Sequence, residues 1–130
     1  MVERLLLVAL GGALGSAARY LTAVAAAAWL GPGFPYSTLA VNLVGSFLIG
    51  LIQQVAVDSS LVPENARLFL TTGVMGGLTT YSAFSYETVR LMETNAWTAA
   101  WLNIVLTTML CLALCVLGIA AGRGLLGARG

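Results

Sequence analysis

The chain has 130 residues, 59% hydrophobic and only 8% charged, with six basic residues, five acids and a formal net charge of +1. A soluble domain carries about a quarter charged residues and a nucleic-acid binder carries a basic face, so both classes are excluded and an all-α integral membrane protein is indicated. Histidine is absent, which excludes His-bearing zinc sites, Ser-His-Asp triads and imidazole acid–base chemistry, and no enzymatic activity is expected.

Met1-Val-Glu-Arg4 and the leucines after it resemble the start of a signal peptide. The apolar run, however, continues to Trp29 with Arg19 inside it, too long for a cleaved leader. It is read as a retained first helix over about 4–29, closed by Gly31-Pro-Gly-Phe-Pro35. A second helix is expected over 37–57, then a polar loop Asp58–Asn65. The third helix is expected over 66–91 and the fourth over 97–121, in one domain covering 1–130. Each span reaches the roughly 20 residues that a 30 Å hydrocarbon layer requires. Arg4, Arg67, Arg123 and Arg129 fall on the side of the termini and Arg90 on the other, with Arg19 pointing that way. The positive-inside count leans towards termini inside, on few charges, and insertion in both orientations stays open.

Gly11 and Gly15, Ser46 and Gly50, Gly73 and Gly77, and Gly118 and Gly122 each stand four apart. Such pairs lay a flat stripe on one helix face and let another backbone come close. Four short helices enclose little interior, so a buried polar path calls for a second copy of the chain. Cys111 and Cys115 share one helix face and are read as small apolar core residues, not as a disulfide.

The third helix holds the least lipid-like stretch, Gly73-Val-Met-Gly-Gly-Leu-Thr-Thr-Tyr-Ser-Ala-Phe-Ser85. Glycine costs about 1 kcal/mol against alanine inside a helix, and Ser and Thr compete for backbone hydrogen bonds. The stretch is either a packing seam or a break in the helix, and a break is expected. Unwound backbone at membrane depth survives only when it is buried or lines a cavity, where Gly and Thr carbonyls can hold a small cation. After the break, Tyr81 and Phe84 offer aromatic edges with partial positive charge, beside the hydroxyls of Ser82 and Ser85. Edges and hydroxyls together suit a small, strongly hydrated anion.

Polar residues inside spans are costly and mark candidate sites. Asn42, Ser46 and Gln53 share one face of the second helix, and Asn103 and Thr107 begin a row on the fourth. Arg19 either snorkels to the interface or supplies positive potential at an anion vestibule. No carboxylate falls mid-helix, since Glu87 and Glu93 lie towards the end of the third span and beyond it. Passive conduction is therefore expected over proton-coupled transport, with a proton-coupled small-solute exporter of the four-helix type as the alternative. A packing or assembly protein is the third class.

Three stretches together resemble the small bacterial fluoride channels called Fluc or CrcB. They are Gly11-Gly-Ala-Leu-Gly-Ser-Ala-Ala-Arg-Tyr20, Tyr36-Ser-Thr-Leu-Ala-Val-Asn-Leu-Val-Gly-Ser-Phe47 and Gly76-Gly-Leu-Thr-Thr-Tyr-Ser-Ala-Phe-Ser85. The resemblance covers nearly the whole chain. It implies a fluoride-selective channel of the bacterial plasma (inner) membrane that exports F⁻ passively and relieves fluoride toxicity. It implies an antiparallel, dual-topology homodimer of four-helix chains with the third helix broken. It also implies two pores and a central structural Na⁺ held by the backbone carbonyls of Gly76 and Thr79. The implied pore residues are Asn42, Tyr81, Ser82, Phe84, Asn103 and Thr107, and Ser85 joins them from the hydroxyl face described above; Arg19 is the helix-one arginine. The chain departs from the family in having Tyr81 for a phenylalanine, Ala83 for a threonine and Asn103 for a tyrosine.

Overall fold

The computed structural model describes residues 1–128, and all regular structure among them is helical. Arg129, one of the arginines counted on the terminal side, lies outside the described residues. Helix α1 spans Val2–Leu30 and ends where Gly31 takes φ 76°, a left-handed conformation that suits glycine at a helix C-terminus. Helix α2 spans Tyr36–Asp58, begun by the Pro35 turn. The third segment comes in pieces: α3 (Glu64–Leu68), a π-helical stretch Phe69–Met75, α4 (Gly76–Leu78), two extended residues and α5 (Tyr81–Glu93). Helix α6 spans Trp97–Gly127, past the end at 121 expected from its apolar run. Asn95, at φ 60°, makes the short α5–α6 turn in a conformation that asparagine tolerates better than most residues.

Three of these helices, α1, α2 and α6, are long and apolar enough to cross a membrane. Leu6, Leu10, Leu14, Leu21 and Val24 of α1 and Val105, Leu112 and Val116 of α6 are exposed. Among the described residues, Val41, Met75, Phe84 and Ala100 are the buried apolar side chains. A protein so dry outside and so thin inside is not assembled by hydrophobic burial from water. In lipid, close van der Waals packing must hold the helices together.

Glycine supplies that packing at two seams. Along the first, α1 lies on the π-helical stretch and α4. A Cβ on Gly11 would meet the Gly73 Cα at 2.9 Å, and one on Gly77 would strike the Gly12 carbonyl. Along the second, α2 runs beside α6; a Cβ on Gly50 would strike the Cys115 carbonyl, and one on Gly118 the Phe47 carbonyl. The four-residue stripes thus bring backbone against backbone. Cys111 and Cys115 are free and half-buried, and Cys115 supports the second seam through its carbonyl.

The seams set a stability contrast within one helix. Gly118→Ala should lower the denaturation midpoint in detergent by an amount worth about 1–3 kcal/mol, the usual cost of overpacking. Gly124→Ala, with open space around it, should be neutral or slightly stabilising, since alanine gains about 1 kcal/mol of helix propensity. Equal midpoints for the two variants would contradict the seam.

Candidate functional site: an interrupted helix beside an open cavity

The site begins where the helical run stops. Thr79 has φ −83° and ψ 154°, and Thr80 has φ −154° and ψ 116°, both extended. In an uninterrupted α-helix the Thr80 amide would bond to the Gly76 carbonyl four residues back. Here it donates to Asn42 Oδ1 at 2.8 Å instead, and Asn42 Nδ2 donates to the Thr80 carbonyl at 3.1 Å. One buried asparagine of α2 thus satisfies both backbone groups of Thr80 and leaves the Gly76 carbonyl without its helical partner. The next carbonyl, Gly77, accepts from Arg19 Nε at 3.1 Å. Arg19 is thus tied to the end of α4, where helix carbonyls gather negative potential, and neither snorkels freely nor lines the cavity.

Thr80 also restarts the helix. Its hydroxyl accepts from the Ala83 amide at 3.2 Å, the bond a helix-capping Thr makes. Thr79 Oγ1 turns back to the Met75 carbonyl at 2.9 Å. Its methyl group occupies the space that a Cβ on Gly45 would need, so α2 receives the break only because residue 45 lacks a side chain.

Beside the break lies an open cavity of about 540 Å³, whose walls include Asn42, Ser46, Gly76, Thr79, Tyr81, Phe84, Thr107 and Cys111. Phe84 is buried, while Tyr81 is 80% exposed. Their rings lie 5.5 Å apart, tilted by 52°, within the range of favourable aromatic pairs.

Besides Arg19, three of the candidate residues lie off this wall. Ser82 is exposed, its Oγ 3.3 Å from that of Thr80. Ser85 donates to the Tyr81 carbonyl at 2.9 Å. Asn103 is 1% exposed; its Nδ2 donates to Thr88 Oγ1 at 2.9 Å and its Oδ1 accepts from Thr107 at 3.3 Å. The row on α6 therefore meets the cavity at Thr107 and Cys111, not at its first member. Among the described residues no group of three or more His, Cys, Asp or Glu stands together.

The structure adds Thr38, which the sequence did not single out, and brings back Glu87, which the sequence set aside. Thr38 donates to Glu87 Oε1 at 2.9 Å, and Oε2 is buried without a partner. Counted from the end of the span Glu87 looked peripheral, but it lies midway along α5, three residues after Phe84. It lines a second cavity of about 370 Å³ with Phe34, Tyr86 and Arg90.

Asn42 carries the local architecture, so its loss should show in stability. Asn42→Leu leaves the Thr80 amide and carbonyl unpaired, at about 1–3 kcal/mol for each. Ser46→Ala, one turn further along the same cavity wall, should stay within about 0.5 kcal/mol of the parent. Denaturation in detergent measures both, and indistinguishable variants would contradict the strut.

The family model described as "CrcB-like protein, Camphor Resistance (CrcB)" matches residues 6–119. The chain is 50% identical over 118 residues to "Fluoride-specific ion channel FluC" of Geobacter metallireducens, covering 91% of this chain and 95% of that one. It is 53% identical over 112 residues to the protein of the same name from Anaeromyxobacter dehalogenans, covering 86% and 89%. With the Sorangium cellulosum protein of that name it shares 46% identity over 125 residues, covering 96% and 98%.

Proposed function

Because the chain belongs to the CrcB-like protein family, we propose that it is a fluoride-selective channel that lets F⁻ leave the cytoplasm down its electrochemical gradient. The observation that carries the proposal is the aromatic-edged cavity beside the interrupted helix, whose largely apolar wall carries the polar groups of Asn42, Ser46, Thr79 and Thr107, in a chain matched along nearly its whole length by proteins named as fluoride channels. It works in the bacterial plasma (inner) membrane as a passive conductor and not as an enzyme.

A small anion that sheds water needs hydrogen-bond donors and positive edges in return. The ring edges of Tyr81 and Phe84 supply the second. The first come from the remaining N–H of Asn42, the Ser82 hydroxyl close to the break and, when it turns towards the cavity, the Thr107 hydroxyl. Chloride, larger and less able to hydrogen-bond, gains less from the same donors in a narrow path.

One copy leaves this cavity open, and polar backbone facing lipid is costly. A second, inverted copy of the chain is the cover we assign to it. The tryptophans support the inversion: Trp29, Trp97 and Trp101 are exposed near one end of the bundle, where aromatic residues mark a membrane interface. Two antiparallel copies place such a belt at both interfaces. The donor set also fits the implied Na⁺. The Gly76 carbonyl is freed by the diversion of the Thr80 amide, Thr79 is extended, and neutral oxygens suit a hard cation. Gly76 and Thr79 would hold the ion, which, when bound, supplies positive charge and ties the two copies together.

Glu87 favours one other reading, a proton-coupled exporter, because it is a half-buried carboxylate with one unpartnered oxygen, one turn after Phe84 and lining the second cavity. Liposomes carrying the pure protein distinguish the two. The channel passes F⁻ without a pH gradient and excludes Cl⁻; equal fluxes of the two halides, or transport only under a pH gradient, would contradict it. Phe84→Ile removes an edge worth about 0.5–1.5 kcal/mol and should slow F⁻ efflux up to about tenfold, whereas unchanged efflux would remove the ring from the path.

A further inference from the structure

Asn103, Thr88, Thr107 and Phe84 form one connected hydrogen-bond chain between α5 and α6, whose direction follows from the Thr88 bond to the Phe84 carbonyl. Thr88 has a single hydroxyl proton and gives it to the Phe84 carbonyl at 2.7 Å. Towards α6 its oxygen can therefore only accept. That requires Asn103 to present its NH₂ to Thr88, at 2.9 Å, which turns the amide oxygen towards Thr107. Thr107 then donates to that oxygen at 3.3 Å. Reversing the amide would set an acceptor against Thr88 and require its hydroxyl to leave the Phe84 carbonyl. The order Thr107 to Asn103 to Thr88 to Phe84 leaves every member paired.

We propose that Asn103 and Thr88 are positioning residues of the conduction path, neither of them touching the ion. The proposal rests on the channel reading. The chain joins the second half-helix, which carries Phe84, to the α6 residue Thr107, and both ends line the cavity while Asn103 and Thr88 lie behind it. It fixes the separation between the aromatic edge and the hydroxyl that faces it. It also holds the Thr107 proton back against α6, so the cavity meets oxygen lone pairs until that proton turns outward. At 3.3 Å the Thr107 bond is the weakest of the three, so it yields first, while the two shorter bonds keep α5 in place. A polar cluster with 1% exposure at its centre is costly to leave half-paired, so disturbing one end should be felt at the other.

The test is fluoride and chloride efflux per folded channel in liposomes, with wild type, Thr88→Val, Thr88→Ser, Asn103→Leu and the double variant Thr88→Val/Asn103→Leu. Thr88→Val keeps the shape and removes the hydroxyl, whereas Thr88→Ser keeps the hydroxyl. The expected result is at least a fivefold loss of F⁻ efflux, or of F⁻ over Cl⁻ preference, in Thr88→Val and in Asn103→Leu. Thr88→Ser should return to within about twofold of wild type, and the double variant should be no worse than the poorer single one, as for residues sharing one network. The two single variants remove opposite ends of the same bond, so whichever folds decides. Efflux within twofold of wild type in a folded Thr88→Val channel would overturn the proposal, as would losses that multiply in the double variant. So would failure of both single variants to fold, which would make the pair a structural buckle. A wild type that passes no F⁻ would instead overturn the channel reading itself.

Discussion

A bilayer offers no water to an unpaired amide, and the rest of this structure depends on how that constraint is met at Thr79 and Thr80. Two extended residues at membrane depth release backbone groups that the helix would have paired. Asn42 takes both groups of Thr80, and Arg19 takes the carbonyl of Gly77. The α5 helix restarts on a threonine cap. What stays free are the carbonyl oxygens of Gly76 and Thr79, residues on the wall of the open cavity; the Thr79 amide still donates to the Met75 carbonyl. The break is thus supported on three sides and exposed on the fourth.

That support determines where α2 and α1 must lie. Asn42 reaches Thr80 only because Gly45, three residues on, makes room for the Thr79 methyl. Arg19 reaches Gly77 because Gly12, Gly15, Gly73 and Gly77 bring α1 into backbone contact with the third segment. Glycine, a poor helix former in water, is here the condition for the polar contacts. The α6 helix enters from the other side, locked to α2 by Gly50 and Gly118 and to α5 by Asn103 and Thr88. Each side chain of the site is therefore held by a backbone seam one or two turns away.

Much of this was legible in the sequence because membrane proteins limit the use of polar residues. The glycine pairs predicted close seams, the Gly73–Ser85 stretch predicted trouble for a continuous helix, and Asn42 stood out as an amide in an apolar span. Partners were not legible. Asn42 was expected to serve an ion, but its amide is spent largely on Thr80, a contact between residues 42 and 80 that no periodicity encodes. Asn103 looked like the first residue of a path, yet one turn of helix decides between facing a cavity and facing Thr88. Glu87 was set aside for its place along the span, and only the structure shows its partner, Thr38 of α2. The gap in each case is tertiary: sequence spacing gives the face of a helix, not what stands opposite it.

The central claim is that the supported break becomes a working site only when a second, inverted copy closes its open side. Crystals grown from a lipidic phase with sodium fluoride would test this most directly. The account predicts two antiparallel chains with their Thr79–Thr80 breaks facing each other and their cavities closed against one another. A monomer, or a parallel pair that leaves both breaks against lipid, would contradict it.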